Sequence, residues 1–215
     1  MDQEQLLRDA EAFARAELSA DSSGHDWWHI DRVTRLARRI ASEEGADVFV
    51  CTLAALLHDI ADYKIAGDEE AGQRRVREWL AGHGASADTV AHVMEIIATL
   101  SFGGGNRAPM RTLEGRVVQD SDRLDALGAI GIARAFAFGG SRGRAMYTPD
   151  ESPRAYASQA EYHASTASTI AHFHEKLLLL KDRMNTPFAR KLAEERHRYM
   201  EAFLREFARE WDGER

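Results

Sequence analysis

The sequence predicts an all-α protein. Nearly every segment of the 215 residues carries apolar side chains at helical rather than alternating spacing, and stretches rich in Val, Ile and Thr that would read as strands are missing. Capping residues and glycines also fall where helices should start and stop. Leu6, Leu7, Phe13, Ala14 and Leu18 make a first amphipathic helix, ended by the polar stretch Ser19 to Gly24. Asp26 is placed to cap a second helix, about Trp27 to Glu44, which buries Ile30, Val33, Leu36, Ala37 and Ile40 and stops at Gly45. A third begins near Asp47. It is apolar almost all round (Phe49, Val50, Leu53, Ala54, Leu56, Leu57), which predicts the central buried helix, with His58 and Asp59 at its end. Helices at about Glu69 to Ala81 and Ala87 to Leu100 precede a Gly-rich loop, residues 101–112, and a helical stretch carrying Asp120 and Asp122. Residues 139–153, with three glycines and two prolines, read either as a lid or as a surface loop without a role. From Arg154 the pattern returns to helix, restarting at Thr186-Pro187, after which Phe188, Leu192, Tyr199, Phe203 and Phe207 share a face. No repeat or low-complexity tract interrupts the chain, which reads as a single domain, 1–215.

Composition excludes several classes of function. With 44% hydrophobic and 29% charged residues the chain is ordinary for a globular protein, and the opening residues lack the basic and apolar regions of a signal peptide, so the cytoplasm is the expected compartment. The longest apolar run, Val48 to Leu57, is far short of the roughly 18 to 20 residues that span a bilayer. A single cysteine, Cys51, rules out an intrachain disulfide and reads as a small core residue. A net charge of −7 argues against duplex nucleic acid as a partner, while a small phosphorylated molecule held with a metal remains compatible.

The local signal with most chemistry is His58-Asp59. An imidazole and a carboxylate are costly to bury together unless paired or bound to a cation, although the dipeptide alone also fits a capping histidine beside a solvated aspartate. His29, at the start of the preceding helix, can face the end of the antiparallel third helix. Asp122 lies in the carboxylate-dense Gln119-Asp120-Ser121-Asp122-Arg123-Leu124-Asp125. Two imidazoles and two carboxylates from three helices would make a metal cage.

With these residues in place, the chain resembles the HD superfamily of metal-dependent phosphohydrolases, whose elements H, HD and D occur in that order. Gly24-His25-Asp26-Trp27-Trp28-His29-Ile30-Asp31-Arg32-Val33 looks like the first, Leu56-Leu57-His58-Asp59-Ile60-Ala61-Asp62-Tyr63-Lys64 like the second, and Val118 to Gly128, with Asp122 just before Arg-Leu, like the third. The resemblance covers most of residues 24–211, with the core motifs in 24–135, and looks closest to a subgroup of small bacterial hydrolases. It implies an HD-type helical bundle with C-terminal helices and a divalent metal on His29, His58, Asp59 and Asp122. Neutral nitrogens and hard oxygens suit Mn²⁺ first, and Mg²⁺, Fe²⁺, Co²⁺ or Ni²⁺ as alternatives, over a cysteine-rich zinc site. Asp59 would act in catalysis through the metal. Asp62 reads as a general base or, equally, a surface residue at a helix end. Lys64, Arg123, Lys176 and Lys181 are the candidates for phosphate contacts, Lys64 also assisting catalysis. His92 and Glu95, three apart, read as a surface hydrogen-bonded pair or as a further phosphate contact. His25 would orient its loop. His163, His172, His174 and His197 have no motif around them, although His172 precedes a family-like Phe-x-Glu-Lys stretch. Trp27 and Trp28 read as packing the entrance helix, with stacking on a base as the alternative.

The implied activity is hydrolysis of a nucleotide or similar small phosphorylated metabolite, with pyrophosphate release from nucleoside triphosphates first. A nucleoside monophosphatase, a cyclic-nucleotide phosphodiesterase, or a metal- or nucleotide-binding regulator without catalysis stand as alternatives, and a homodimer is an assembly the sequence allows.

Overall fold

The computed structural model describes residues 2–18, 26–61, 69–100, 109–154 and 165–214. These form helices α1 (Gln3–Leu18), α2 (Trp27–Glu44), α3 (Val48–Leu57), α4 (Glu69–Gly82), α5 (Ala87–Leu100), α6 (Leu113–Asp125), α7 (Gly128–Ser141), α8 (Thr169–Glu175) and α9 (Pro187–Trp211), with 3-10 segments at Asp59–Ala61 and Leu177–Arg183. No strand occurs among the described residues. None of their helices is long and apolar enough to cross a membrane. The expected all-α class holds.

The chain divides into two compact units, Met1–Ser121 and Asp122–Arg215, with the boundary inside α6. In the first unit α3 packs against α1, α2 and α5, and buries every residue from Val50 to Leu57. Each fully buried Leu there contributes roughly 1.5 to 3 kcal/mol, so this helix dominates the core as its sequence predicts. The ends of its neighbours are fixed chemically. Asp26 Oδ1 accepts from the His29 amide at 3.0 Å and Asp47 Oδ1 from the Val50 amide at 3.1 Å, each satisfying an amide of a first turn. Gly45 closes α2 with φ +71°, a conformation that costs side-chain-bearing residues a steric penalty. Cys51 is fully buried, and burial pushes its thiol pKa up, helped by Glu114 and Asp47.

In the second unit α9 packs against α7 and the 3-10 segment, and α8 against both of those. An aromatic group holds it together: Phe136 lies 6.0 Å from Phe173 and 5.9 Å from Phe203, and Phe207 extends the contact toward Tyr147 and Trp211. Three expectations are corrected here. The irregular segment after α7 begins at Arg142 rather than Gly139, because the helix runs on through Gly139, where Thr169 Oγ1 occupies the space a Cβ would need. The helix expected from Arg154 falls first on residues outside the described ones, and the described residues 165–168 are irregular before α8 starts at Thr169, where Ser168 Oγ caps the Ala171 amide at 3.2 Å. Tyr199 does not join the buried face of α9. It is 58% exposed, because the stripe that packs is the adjacent one, Ala189, Ala193, His197 and Met200, whose small side chains let the helix approach closely.

Candidate metal centre

Three elements of the first unit converge on one point. The Asp26 cap sets His29 in the first turn of α2. His58 caps the C-terminus of α3, and Asp59 opens the 3-10 segment that follows. Asp59 then meets both imidazoles, Oδ2 at 3.5 Å from His29 Nε2 and Oδ1 at 3.3 Å from His58 Nε2. The rings stand 5.6 Å apart at 66°. One ligand atom from each of the three residues lies within 4.8 Å of the others, and the residues are only 1%, 6% and 4% exposed.

Tautomer chemistry shows what this group is suited to hold. His58 Nδ1 sits 2.8 Å from the Ala55 carbonyl, which can only accept, so in the neutral ring Nδ1 carries the proton and Nε2 presents its lone pair. That Nε2 is buried and makes no hydrogen bond among the described residues. A lone pair facing a carboxylate gains nothing from it, whereas a cation between them satisfies both. Ligand atoms held at about 2.0 to 2.2 Å around one ion stand roughly 3.0 to 3.5 Å from each other, and the two imidazole-to-carboxylate distances fall in that range. Two nitrogens and a carboxylate therefore fit a divalent metal. The carbonyl of Ala55 orients its ligand ring as such partners do in metal sites.

The other residues singled out from the sequence fall in several places. Asp122 is half-buried on α6, at the first position of the second unit. Its neighbours are accounted for locally: the Ser121 hydroxyl donates to Val117 O at 2.7 Å, and buried Asp125 pairs with Arg134 at 2.6 Å. Arg123 donates through Nη1 to the Arg183 carbonyl. Lys176, half-buried, follows α8, and Lys181 stands 3.6 Å from Asp182. Asp62, Lys64, His25 and His163 lie outside the described residues, as does most of the loop 101–112.

The pairing expected of His92 with Glu95 is replaced by two others. Glu95 holds Arg111 through both carboxylate oxygens, at 2.8 and 2.6 Å, which lowers its pKa, and His92 Nε2 stands 3.5 Å from Glu114. Partners reached across helices win because α6 and the segment before it run past α5. Trp27 is buried beneath the Arg15 guanidinium, 4.3 Å from its ring, but Trp28 is 60% exposed rather than packed, since adjacent helical positions point about 100° apart.

For His172 the sequence offered only its place before the Phe-x-Glu-Lys stretch. His172 and Lys176 lie four apart, one turn along the same face, and Arg144 comes from the irregular segment. The His172 pKa is pushed down to about 3, by burial first and then by Lys176 and Arg144.

Comparison with known proteins agrees with this geometry. Residues 27–127 match the HD domain family. The chain is 41% identical over 199 residues to the YpgQ protein of Bacillus subtilis, covering 91% of this chain and 89% of that one. The crystal structure of YpgQ in complex with ADP matches with a TM-score of 0.76 at 38% identity, over 95% of this chain and 97% of that one. A protein of Lactobacillus plantarum matches with a TM-score of 0.86 at 37% identity, over 99% and 100% of the two chains. An HD-superfamily hydrolase from Bacillus thuringiensis matches with a TM-score of 0.80 at 43% identity, over 98% of each. With its H and HD elements meeting in one buried group, and with relatives alike along nearly their whole length, the chain belongs to the HD superfamily of hydrolases.

Proposed function

We propose that this protein is a divalent-metal-dependent phosphohydrolase that releases pyrophosphate from nucleoside triphosphates. The observation that carries the reading is the buried His29, His58 and Asp59 group, with the His58 Nε2 lone pair held toward Asp59. Similarity to a protein crystallised with ADP supports a nucleotide as the substrate class.

In this reading Asp122 is the fourth ligand. Asp125 is the competing carboxylate one turn on, and its pairing with Arg134 gives it a different task. When bound, a divalent ion supplies Lewis acidity toward a phosphoryl oxygen and acidifies a water, with Mn²⁺ the first candidate. The protein's own part is to orient both imidazoles, through the Ala55 carbonyl in the case of His58, and to exclude bulk water from Asp59. Asp62, three residues beyond Asp59, is the proposed base that takes the proton of the attacking water. Lys64, Arg123, Lys176 and Lys181 are proposed to bind the phosphates. A guanidinium has five N–H donors, so the bond from Arg123 to Arg183 is compatible with that role.

A release assay tests the proposal: metal-stripped protein is supplied with Mn²⁺ and offered nucleoside tri-, di- and monophosphates, with phosphate and pyrophosphate scored separately. Pyrophosphate from triphosphates is the expected product. Phosphate from monophosphates would replace this activity with a monophosphatase, and no turnover with any divalent metal would leave a binding role.

A further inference from the structure

The metal ligand contributed by α2 sits where a helix is least secure. His29 is the third residue of α2, and the amides of a first turn have no partner within the helix, so such an end frays unless something outside holds it. Two contacts hold this one. Asp26 Oδ1 accepts from the His29 amide at 3.0 Å, which fixes the backbone. Trp27, the first residue of the helix, is only 8% exposed, and the Arg15 guanidinium of α1 covers its ring at 4.3 Å. Arg15 is steadied in turn by Glu11 one turn back, Nη2 to Oε1 at 3.0 Å. The links therefore run from Glu11 through Arg15 and Trp27 to the turn that carries His29, whose Nε2 stands 3.5 Å from Asp59. Helix α1 also touches the 3-10 segment that Asp59 opens. Trp27 Nε1 is buried and makes no hydrogen bond among the described residues, so seating this ring costs the donor its hydration, and the cation over the ring face offsets that cost.

We propose that Arg15 is a positioning residue for the metal centre, holding His29 in place through the ring of Trp27. This rests on the metal-binding reading given above. An exposed arginine paired with a glutamate one turn away on a surface helix ordinarily contributes little. Arg15 differs because its guanidinium also lies over an indole that is more than nine-tenths buried, two residues before a ligand. Without that contact the first turn of α2 samples other positions more often, and His29 leaves its place opposite Asp59. The apparent affinity for a divalent ion then falls in proportion to the fraction of chains in the competent arrangement. Asp26 alone cannot prevent this, since its bond fixes an amide and not the direction in which the turn leans on α1.

The test compares the full-length wild type with Arg15→Ala, Arg15→Lys and Arg8→Ala. Calorimetry reads the affinity of each for Mn²⁺, and NMR reads the exchange rate of the His29 amide in protein stripped of metal with EDTA. Arg15→Ala is expected to weaken Mn²⁺ binding roughly fivefold, the scale of one cation–π contact, and to speed exchange of the His29 amide by a similar factor. Its thermal midpoint should stay within a few degrees of the wild type. Arg15→Lys keeps a cation over the ring and should restore most of both. Arg8→Ala removes a comparable surface pair on the same helix, 3.7 Å from Glu4, and should move neither. Mn²⁺ affinity unchanged in Arg15→Ala, or weakened as much in Arg8→Ala, overturns the proposal while leaving the metal centre standing. A wild-type chain that binds no divalent ion refutes the metal centre itself, and the proposal falls with it.

Discussion

The two units each shelter a histidine, buried in the first and half-buried in the second, and they surround it with opposite charge. In the first, His29 and His58 face the carboxylate of Asp59, at 3.5 and 3.3 Å; in the second, His172 sits under the influence of Lys176 and Arg144. An imidazole is both a donor and an acceptor, so its surroundings decide which ligand it serves. Beside a carboxylate, with its other nitrogen tied to a carbonyl, it presents a lone pair to a cation. Beside cations it is kept neutral and can donate to an anion. The same residue type thus marks a candidate metal centre in one unit and stands as a neutral ring near cations in the other.

The largest effect should come from removing the carboxylate that sets the first environment. Asp59→Ala and His58→Ala are each expected to lower bound metal, measured by elemental analysis, to background and to cut turnover by several orders of magnitude. Retention of stoichiometric metal in either variant would dissolve the contrast between the units. Next in size is the pair on α6. Asp122→Ala should also empty the site, whereas Asp125→Ala should keep metal but lose roughly 1.5 to 3 kcal/mol of stability in denaturant titration, because it removes the charge-assisted bond to Arg134. Loss of metal in Asp125→Ala would assign the ligand to the wrong aspartate.

The second environment can be probed through pH. The pKa of His172 falls from an ordinary 6.5 to about 3 on folding, so between those values the unfolded chain binds more protons than the folded one. Stability should therefore be undiminished by this group above pH 6.5 and decline progressively as the pH is lowered toward 3. A His172→Gln variant should show a shallower decline across that window, followed by thermal unfolding. The smallest effect is expected of Cys51: buried, with its thiol pKa raised, it should react with a thiol reagent only after unfolding, and fast labelling of the native protein would show that α3 opens.

Much of the first unit was legible because its signals are local. Asp26, Asp47 and Gly45 state where α2 and α3 begin and end through backbone hydrogen bonds and conformation that involve only near neighbours. A helix apolar on all sides, such as α3, has one place to go, the middle of the core, and carries His58 and Asp59 inside with it. The second unit was harder to read. On α9 two apolar stripes run side by side, and periodicity cannot say that Ala189, Ala193 and Met200 pack while Tyr199 stays in water. On α8 seven residues are too few for a periodic signal, so periodicity could not say that Ile170 and Phe173 pack while His172 lies half-buried beside them.

The sequence by itself determined the helical class, the order of the elements and the residue types of a metal site, since caps, glycines and the H and HD elements act over a few positions. Only the tertiary structure decided which nitrogen of His58 faces Asp59, that Glu95 pairs with Arg111 and not with His92, and that residues 145–146 run beside the first turn of α8. Those facts depend on segments far apart in the chain meeting at a few ångströms, where burial and the sign of the neighbouring charge set what each side chain can bind.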